Sequence, residues 1–426
     1  MIPWYTLHLF PILTFGTEKI NLLDVLAACA VLLALPAIVR ALLSGRRDLL
    51  WVCGFITYMA IPFMFGIRAP GGAFFAIREA RAFPFYALAL AFTTGDYTAQ
   101  DFKRFGHVFV IGTAIAIVAV IAHLGWRTPL PGYPDLTPSS PWLHVQYLEW
   151  TVPLVAFQLS LSEALAGASM SARLASAAAA VLVAWYGLAT AERFVQLLLV
   201  STLVVLLCLP MFGAIRPGRI VLALVALSLI GFWATASGVT WLSIPLKSTL
   251  FRWSRALADN SLNFRIQEIM YNFPRFHLHP LFGEGLGGLV LNDDPEHHGI
   301  PWRYVADGYA FLLIKTGLVG FLLYIGMVTS AVRTGWASFK TSTYEGGWPT
   351  FAIGLVGISL LLTLNLLSPT VDTPEGAIAF SLFYGMLAAR PRPGSLQSRN
   401  ATVPEMIEHP RGSSEESRGQ TTAIGA

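Results

Sequence analysis

Apolar residues run through the chain in long unbroken stretches, separated by short clusters of charge, glycine and proline. Stretches such as Ile111–Ile121 and Val195–Met211 show no alternation. Transmembrane β-barrels alternate polar and apolar positions in segments of about ten residues, so these runs are not barrel strands. They read as helices surrounded by lipid or by one another. Such runs lie near 21–43, 48–67, 73–93, 105–124, 143–162, 173–190, 194–212 and 219–236, and after a long gap near 309–332, 348–367 and 375–389. A spanning helix needs about 20 apolar residues, so the pattern predicts an all-α, polytopic membrane bundle of about 11–12 transmembrane helices. The count is open by one because residues 2–16, IPWYTLHLFPILTFG, are apolar but short and split by Pro11. They either lie at the interface or form a twelfth, irregular span.

Charge in the short connections sets the orientation. Arg46 and Arg47, Lys103 and Arg104, Arg173, Arg216 and Arg219, and Arg333 and Lys340 fall on alternate connections. By the positive-inside rule that side is cytoplasmic. The opposite connections are nearly free of Lys and Arg. The division that follows is an N-terminal transmembrane bundle at 1–236 with about eight spans, a large periplasmic loop at 237–308, C-terminal transmembrane helices at 309–389, and a tail at 390–426. The tail is polar and rich in Pro and Ser, and is expected to be cytoplasmic and disordered. No internal repeat is visible, which weighs against transporters built from duplicated halves.

Composition narrows the class further. Charged residues make up 12% of the 426-residue chain and hydrophobic residues 55%, with a mean hydropathy of +0.61. A soluble domain carries about 25% charge, so soluble enzymes, disulfide scaffolds and nucleic-acid modules are excluded. The net charge of +4 comes mostly from loop arginines and says little about nucleic acid. Cys29, Cys53 and Cys208 all sit in apolar runs and read as small buried hydrophobes. The start, MIPWYTLHLF, lacks the basic region and small-residue site of a cleavable signal. The composition is that of an integral membrane protein.

The 237–308 loop concentrates the polar chemistry. It holds seven acids, six bases and four of the nine histidines, together with many aromatic residues that suit a folded cap. Within it Leu262, Ile266, Ile269 and Phe273 recur at helical spacing, with Arg265 to one side of the stripe. Arg265 then faces either headgroups or solvent. Arg193, beside Glu192, sits at a tight turn between two spans and is either an interface anchor or part of a polar site. Arg78, Glu79 and Arg81 lie inside a span, where charges are costly unless they pair or line a cavity. Arg78 and Arg81 are three apart and share a helix face. Lys315 is a further intramembrane charge with no evident partner. The run GEGLGG (Gly283–Gly288) resembles a phosphate-binding loop but lacks the strand–helix unit such loops need, so turn residues beside a site is the better reading. His277, His279, His297 and His298 have no metal-ligand spacing, and neither metal nor cofactor is expected.

In order, these features are many spans, a tight T-x-x-R turn (Thr190–Arg193), two more spans, a long outer loop with an Arg-bearing helix, HPLFGEGLGG, and the apolar GYAFLLIKTGLVGFLLY. That order resembles the superfamily of O-antigen ligases and Wzy-type polysaccharide polymerases. The resemblance covers the architecture of most of the chain, with its specific residues mainly between Thr190 and Gly320. It implies glycan transfer at the periplasmic face of the bacterial inner membrane, with an undecaprenyl-pyrophosphate-linked oligosaccharide as donor, a growing repeat unit or a lipid A core as acceptor, and membrane lipid around it. A chain-length regulator and a flippase are the implied partners. Arg193 and Arg265 match family arginines proposed to hold the donor pyrophosphate, and guanidinium forks suit phosphate oxygens. Arg78, Arg81 and His279 are expected to support substrate binding. Ligases of this family usually carry a His-Asn pair where Asp307 and Gly308 stand here. Asp307 is then the candidate base, with His298 and His297 as its rivals. The departure tilts the expectation from O-antigen ligase to polymerase; a transporter or lipid flippase is the alternative from another class.

Overall fold

The computed structural model describes residues 11–15, 18–68, 72–95, 97, 99–126, 151–166, 169–189, 270, 273–288, 308–341, 347–365, 371 and 373–388. The expected spans at 194–212 and 219–236 and the 390–426 tail lie outside the described residues. The chain is a helical membrane protein. Five helices are long and apolar enough to cross a membrane among the described residues: Val25–Leu43, Arg47–Arg68, Gln100–Ala119, Met170–Gly187 and Gly308–Ala337.

One feature departs from an all-α chain. Pro11–Phe15 (β1) pairs antiparallel with Glu18–Asn21 (β2), so this part of the N-terminal apolar stretch is a hairpin and not a span. Helix α1 (Leu22–Leu43) follows directly. At 1.5 Å per residue its 22 residues reach about 33 Å, enough for a hydrocarbon core of about 30 Å. Leu32, Leu33 and Leu43 stand open on its surface, as expected of a helix facing lipid. Cys29 is also exposed there and Cys53 is half-buried, so neither is the fully buried hydrophobe expected.

Helices α2 (Arg47–Tyr58) and α3 (Ala60–Arg68) together form one expected span. The next, expected at 73–93, is broken into α4 (Gly72–Ala80), a 3-10 turn at Phe83–Tyr86 and α5 (Ala87–Thr94). Pro84 accounts for the break, because it cannot donate the helical hydrogen bond. Helices α6 (Ala99–Trp126), α7 (Thr151–Ala166) and α8 (Met170–Ala189) come next, with α7 and α8 packed along each other.

The C-terminal part is α9 (Gly308–Phe311), a π-helical turn at Leu312–Thr316, α10 (Gly317–Thr341), α11 (Gly347–Asn365) and α12 (Pro374–Ala388). Here α10 lies against α2, and α12 against α5 and α11. Between them sits an aromatic core: the Phe55 ring is 5.3 Å from Tyr86 and 5.8 Å from both Phe83 and Tyr324. Polar groups inside this core are paired. Asn365 donates to the Tyr324 hydroxyl at 3.0 Å and accepts from the Val371 amide at 3.1 Å. The Tyr86 hydroxyl donates to the Val371 carbonyl at 3.1 Å.

The bundle is clamped where α2 begins. Arg46 donates to the Thr93 carbonyl at 2.9 Å and forms an ion pair with Asp48. The Asp48 carbonyl accepts from Tyr384 at 3.1 Å, so α2, α5 and α12 meet there. The site described next lies at the other end of the α2–α3 span.

Candidate functional site

The segment His279–Gly288, HPLFGEGLGG, crosses the end of the bundle as a strap against α3, α4 and the π-helical turn. Its backbone explains the glycines. Gly283, Gly285 and Gly287 have φ of 71°, 94° and 75°, a left-handed conformation that side chains disfavour. An ideal Cβ on Gly287 would stand 2.4 Å from the Ala76 amide nitrogen. The turn reading of this run therefore holds, but the turns are packed against three elements.

A π-helical turn disturbs the regular pairing of a helix and leaves backbone groups to be satisfied elsewhere. The strap satisfies them. The Glu284 amide donates to the Ile314 carbonyl at 2.9 Å, and the Gly285 amide to the Lys315 carbonyl at 3.1 Å. In the opposite sense the amides of Leu318 and Val319, in the first turn of α10, donate to the carbonyls of Pro280 at 2.8 Å and Leu281 at 3.2 Å. These would otherwise be among the unpaired donors of a helix start. The Tyr58 hydroxyl donates to the Thr316 carbonyl at 2.6 Å, and the Leu286 amide to the Pro62 carbonyl at 2.9 Å. Irregular backbone at membrane depth is tolerated when protein groups satisfy it in this way.

An ion pair lies under the strap. Lys315 Nζ is 3.1 Å from Glu79 Oε1, with the lysine side chain fully buried and the glutamate 11% exposed. Glu79 Oε2 accepts from the Gly287 amide at 2.6 Å, and Lys315 donates to the Gly288 carbonyl. Lys315, which had no evident partner in the sequence, is thus paired with Glu79 across the bundle. A second pair closes the rim, Arg275 to Glu284 at 3.1 Å. Sequence reasoning named Glu79 only as a companion of two arginines. The signal available was that two opposite intramembrane charges usually seek each other.

Arg78 and Arg81 flank Glu79. Arg78 is exposed on α4 and Arg81, just beyond it, is half-buried, while Glu79 between them points inward. His279 is exposed at the start of the strap, and its carbonyl accepts from the Gly283 amide at 2.9 Å. The His277 ring meets Phe273 edge-on at 4.7 Å. Among the described residues no three His, Cys, Asp or Glu side chains gather in a metal-binding group. Arg193, Arg265, His298 and Asp307 lie outside the described residues.

Gly308, which begins α9, is buried against α11. An ideal Cβ there would stand 2.5 Å from Asn365 Oδ1. A side chain at this position would have to displace the buried amide that holds Tyr324 and Val371.

No protein-family model and no curated protein sequence matches the chain.

Proposed function

We propose that the protein is a metal-independent glycosyltransferase of the bacterial inner membrane. It polymerises glycan repeat units carried on undecaprenyl pyrophosphate at the periplasmic face. One observation carries the reading: the HPLFGEGLGG strap, one member of the ordered set of motifs that carries the resemblance, is bonded through Gly287 to Glu79, between Arg78 and Arg81. The motif and two arginines proposed to support the bound substrate therefore belong to one end of the bundle. The clamp that includes Arg46 lies at the other end of the same span, and the positive-inside rule assigns that end to the cytoplasm.

In this reading Arg193 and Arg265 grip the donor pyrophosphate, with Arg78, Arg81 and His279 supporting the bound substrate. Guanidinium groups stay charged and stabilise the negative charge that develops on the leaving pyrophosphate. Asp307, or His298 in its place, takes the proton from the acceptor hydroxyl as that oxygen attacks the anomeric carbon. The sugar–phosphate bond breaks and undecaprenyl pyrophosphate leaves. The departure from the ligase pair at Asp307 and Gly308 favours polymerase over ligase in this reading.

The test is polymer synthesis by purified protein supplied with lipid-linked repeat units. Arg193→Ala and Arg265→Ala each abolish chain growth while folded protein is retained. Normal product length from both variants would remove the assignment. In cells a polymerase variant leaves single repeats on the carrier, whereas a ligase variant accumulates carrier-linked polymer.

A further inference from the structure

At the opposite end of the bundle from the strap, the seam between α2 and α10 ends in two cations that nothing neutralises. Three contacts fix the register of the seam. An ideal Cβ on Gly54 would stand 3.5 Å from Leu323 Cδ2, and one on Gly326 would overlap the Trp51 ring. The Ser330 hydroxyl donates to the Asp48 carbonyl at 3.4 Å. Falling numbers on α2 thus meet rising numbers on α10, so the helices run antiparallel. Arg47 is four residues before Trp51 and seven before Gly54, which places all three on one face of α2. Gly326, Ser330 and Arg333 share the facing stripe of α10 by the same spacing. Continued by one step, the register sets Arg47 level with Ser330. Arg333 then lies three residues, about 4.5 Å, further toward the same end. Two arginine side chains span that offset with ease.

The charges around them are already matched. Asp48 pairs with Arg46, Glu163 with Lys103 at 2.8 Å, and Asp101 with Arg104 at 3.6 Å. Arg47 and Arg333 are both exposed, and among the described residues neither has an ion-pair or hydrogen-bond partner. Beneath them the surface is apolar. Trp51 stays exposed although its ring lies on Gly326, and Leu50 and Leu322 are exposed beside it. The seam therefore offers two guanidinium groups over an indole and two aliphatic side chains. An orientation signal needs only the cations; it does not need them to converge over an aromatic ring.

We infer that the α2–α10 seam is a binding site for one anionic phospholipid. Arg47 and Arg333 hold the headgroup phosphate, whose oxygens suit guanidinium forks. Trp51 sits at the level of the glycerol backbone, where an amphipathic ring is favoured. Leu50 and Leu322 lie along an acyl chain. Basic pockets between helices on the cytoplasmic side take acidic lipid headgroups in this way, and the positive-inside rule assigns this end to the cytoplasm. The inference stands apart from the glycan-transfer reading, since it uses no residue placed in that chemistry.

The experiment is a titration of delipidated full-length protein in mild detergent with phosphatidylglycerol or phosphatidylcholine, with bound lipid counted by native mass spectrometry. Wild type is expected to bind one phosphatidylglycerol at least about 10-fold more tightly than phosphatidylcholine. Arg47→Ala and Arg333→Ala should each weaken that binding about 5-fold, and the double variant roughly 25-fold, with phosphatidylcholine binding unchanged. Arg104→Ala, which removes an exposed cation away from the seam, should leave both affinities as in wild type. If an alanine variant does not fold, Arg47→Gln or Arg333→Gln takes its place with the same expectation. Equal affinity for the two lipids means an ordinary lipid contact and overturns the site. Wild-type affinity for phosphatidylglycerol in the double variant overturns it too. An equal loss in Arg104→Ala would mean a diffuse attraction to the whole charged rim, and would also overturn it.

Discussion

Close backbone approaches set the tolerance of single residues around the strap. A Cβ on Gly66 would fall 1.6 Å from the Leu286 carbonyl oxygen, so Gly66→Ala forces the strap and α3 apart. We expect a loss of about 1–3 kcal/mol, read as a lower Tm in detergent. Gly106 in α6 is the contrast, because its nearest neighbour would be the tip of Leu159 at 3.7 Å. Gly106→Ala is expected to leave Tm unchanged or raise it, since alanine is favoured over glycine in a helix by about 0.5–1 kcal/mol. The strap glycines were legible in the sequence as turn residues. The need for glycine at 66 was not, because its partner lies far along the chain and no local pattern marks it. The same holds for Glu79 and Lys315: each charge was visible as an anomaly in an apolar helix, but the sequence does not show which anomalies meet.

Among the described residues, apolar run length located several of the helices. The boundaries of α1, α8, α11 and α12 fall close to those read from hydropathy. Breaks within helices were harder to see. Pro84 could have signalled the split between α4 and α5, whereas the π-helical turn has no local signature because its stability comes from the strap. The helices also differ in what they face. Phe55 on α2 is fully buried among three aromatic rings, while Leu33 on α1 is 85% exposed. Phe55→Ala should therefore lower stability by about 3–5 kcal/mol. Leu33→Ala should stay within about 0.5 kcal/mol. Equilibrium unfolding in mixed micelles measures both.

For the whole molecule, long apolar runs mark a helical membrane protein and the positive-inside rule supplies an expected orientation, while the proposed catalytic groups depend on how distant segments meet. Orientation makes its own prediction. In a cysteine-free background, Ser44→Cys should react with an impermeant maleimide only from the cytoplasmic side, and His277→Cys only from the periplasmic side. Labelling of both from the same side would contradict the assignment of the strap to the outer face. The proposed activity requires that assignment: in the reading proposed here, a donor carried on undecaprenyl pyrophosphate is met at the outer surface, where Arg78, Arg81, Arg193 and Arg265 are proposed to act. The most direct measurement is reconstitution of the purified protein in proteoliposomes with lipid-linked repeat units and no added metal. The account predicts a ladder of polymer lengths that disappears in Arg193→Ala and Arg265→Ala. Movement of the repeat units across the bilayer with no new glycosidic bond, or an unchanged ladder in both variants, would contradict it.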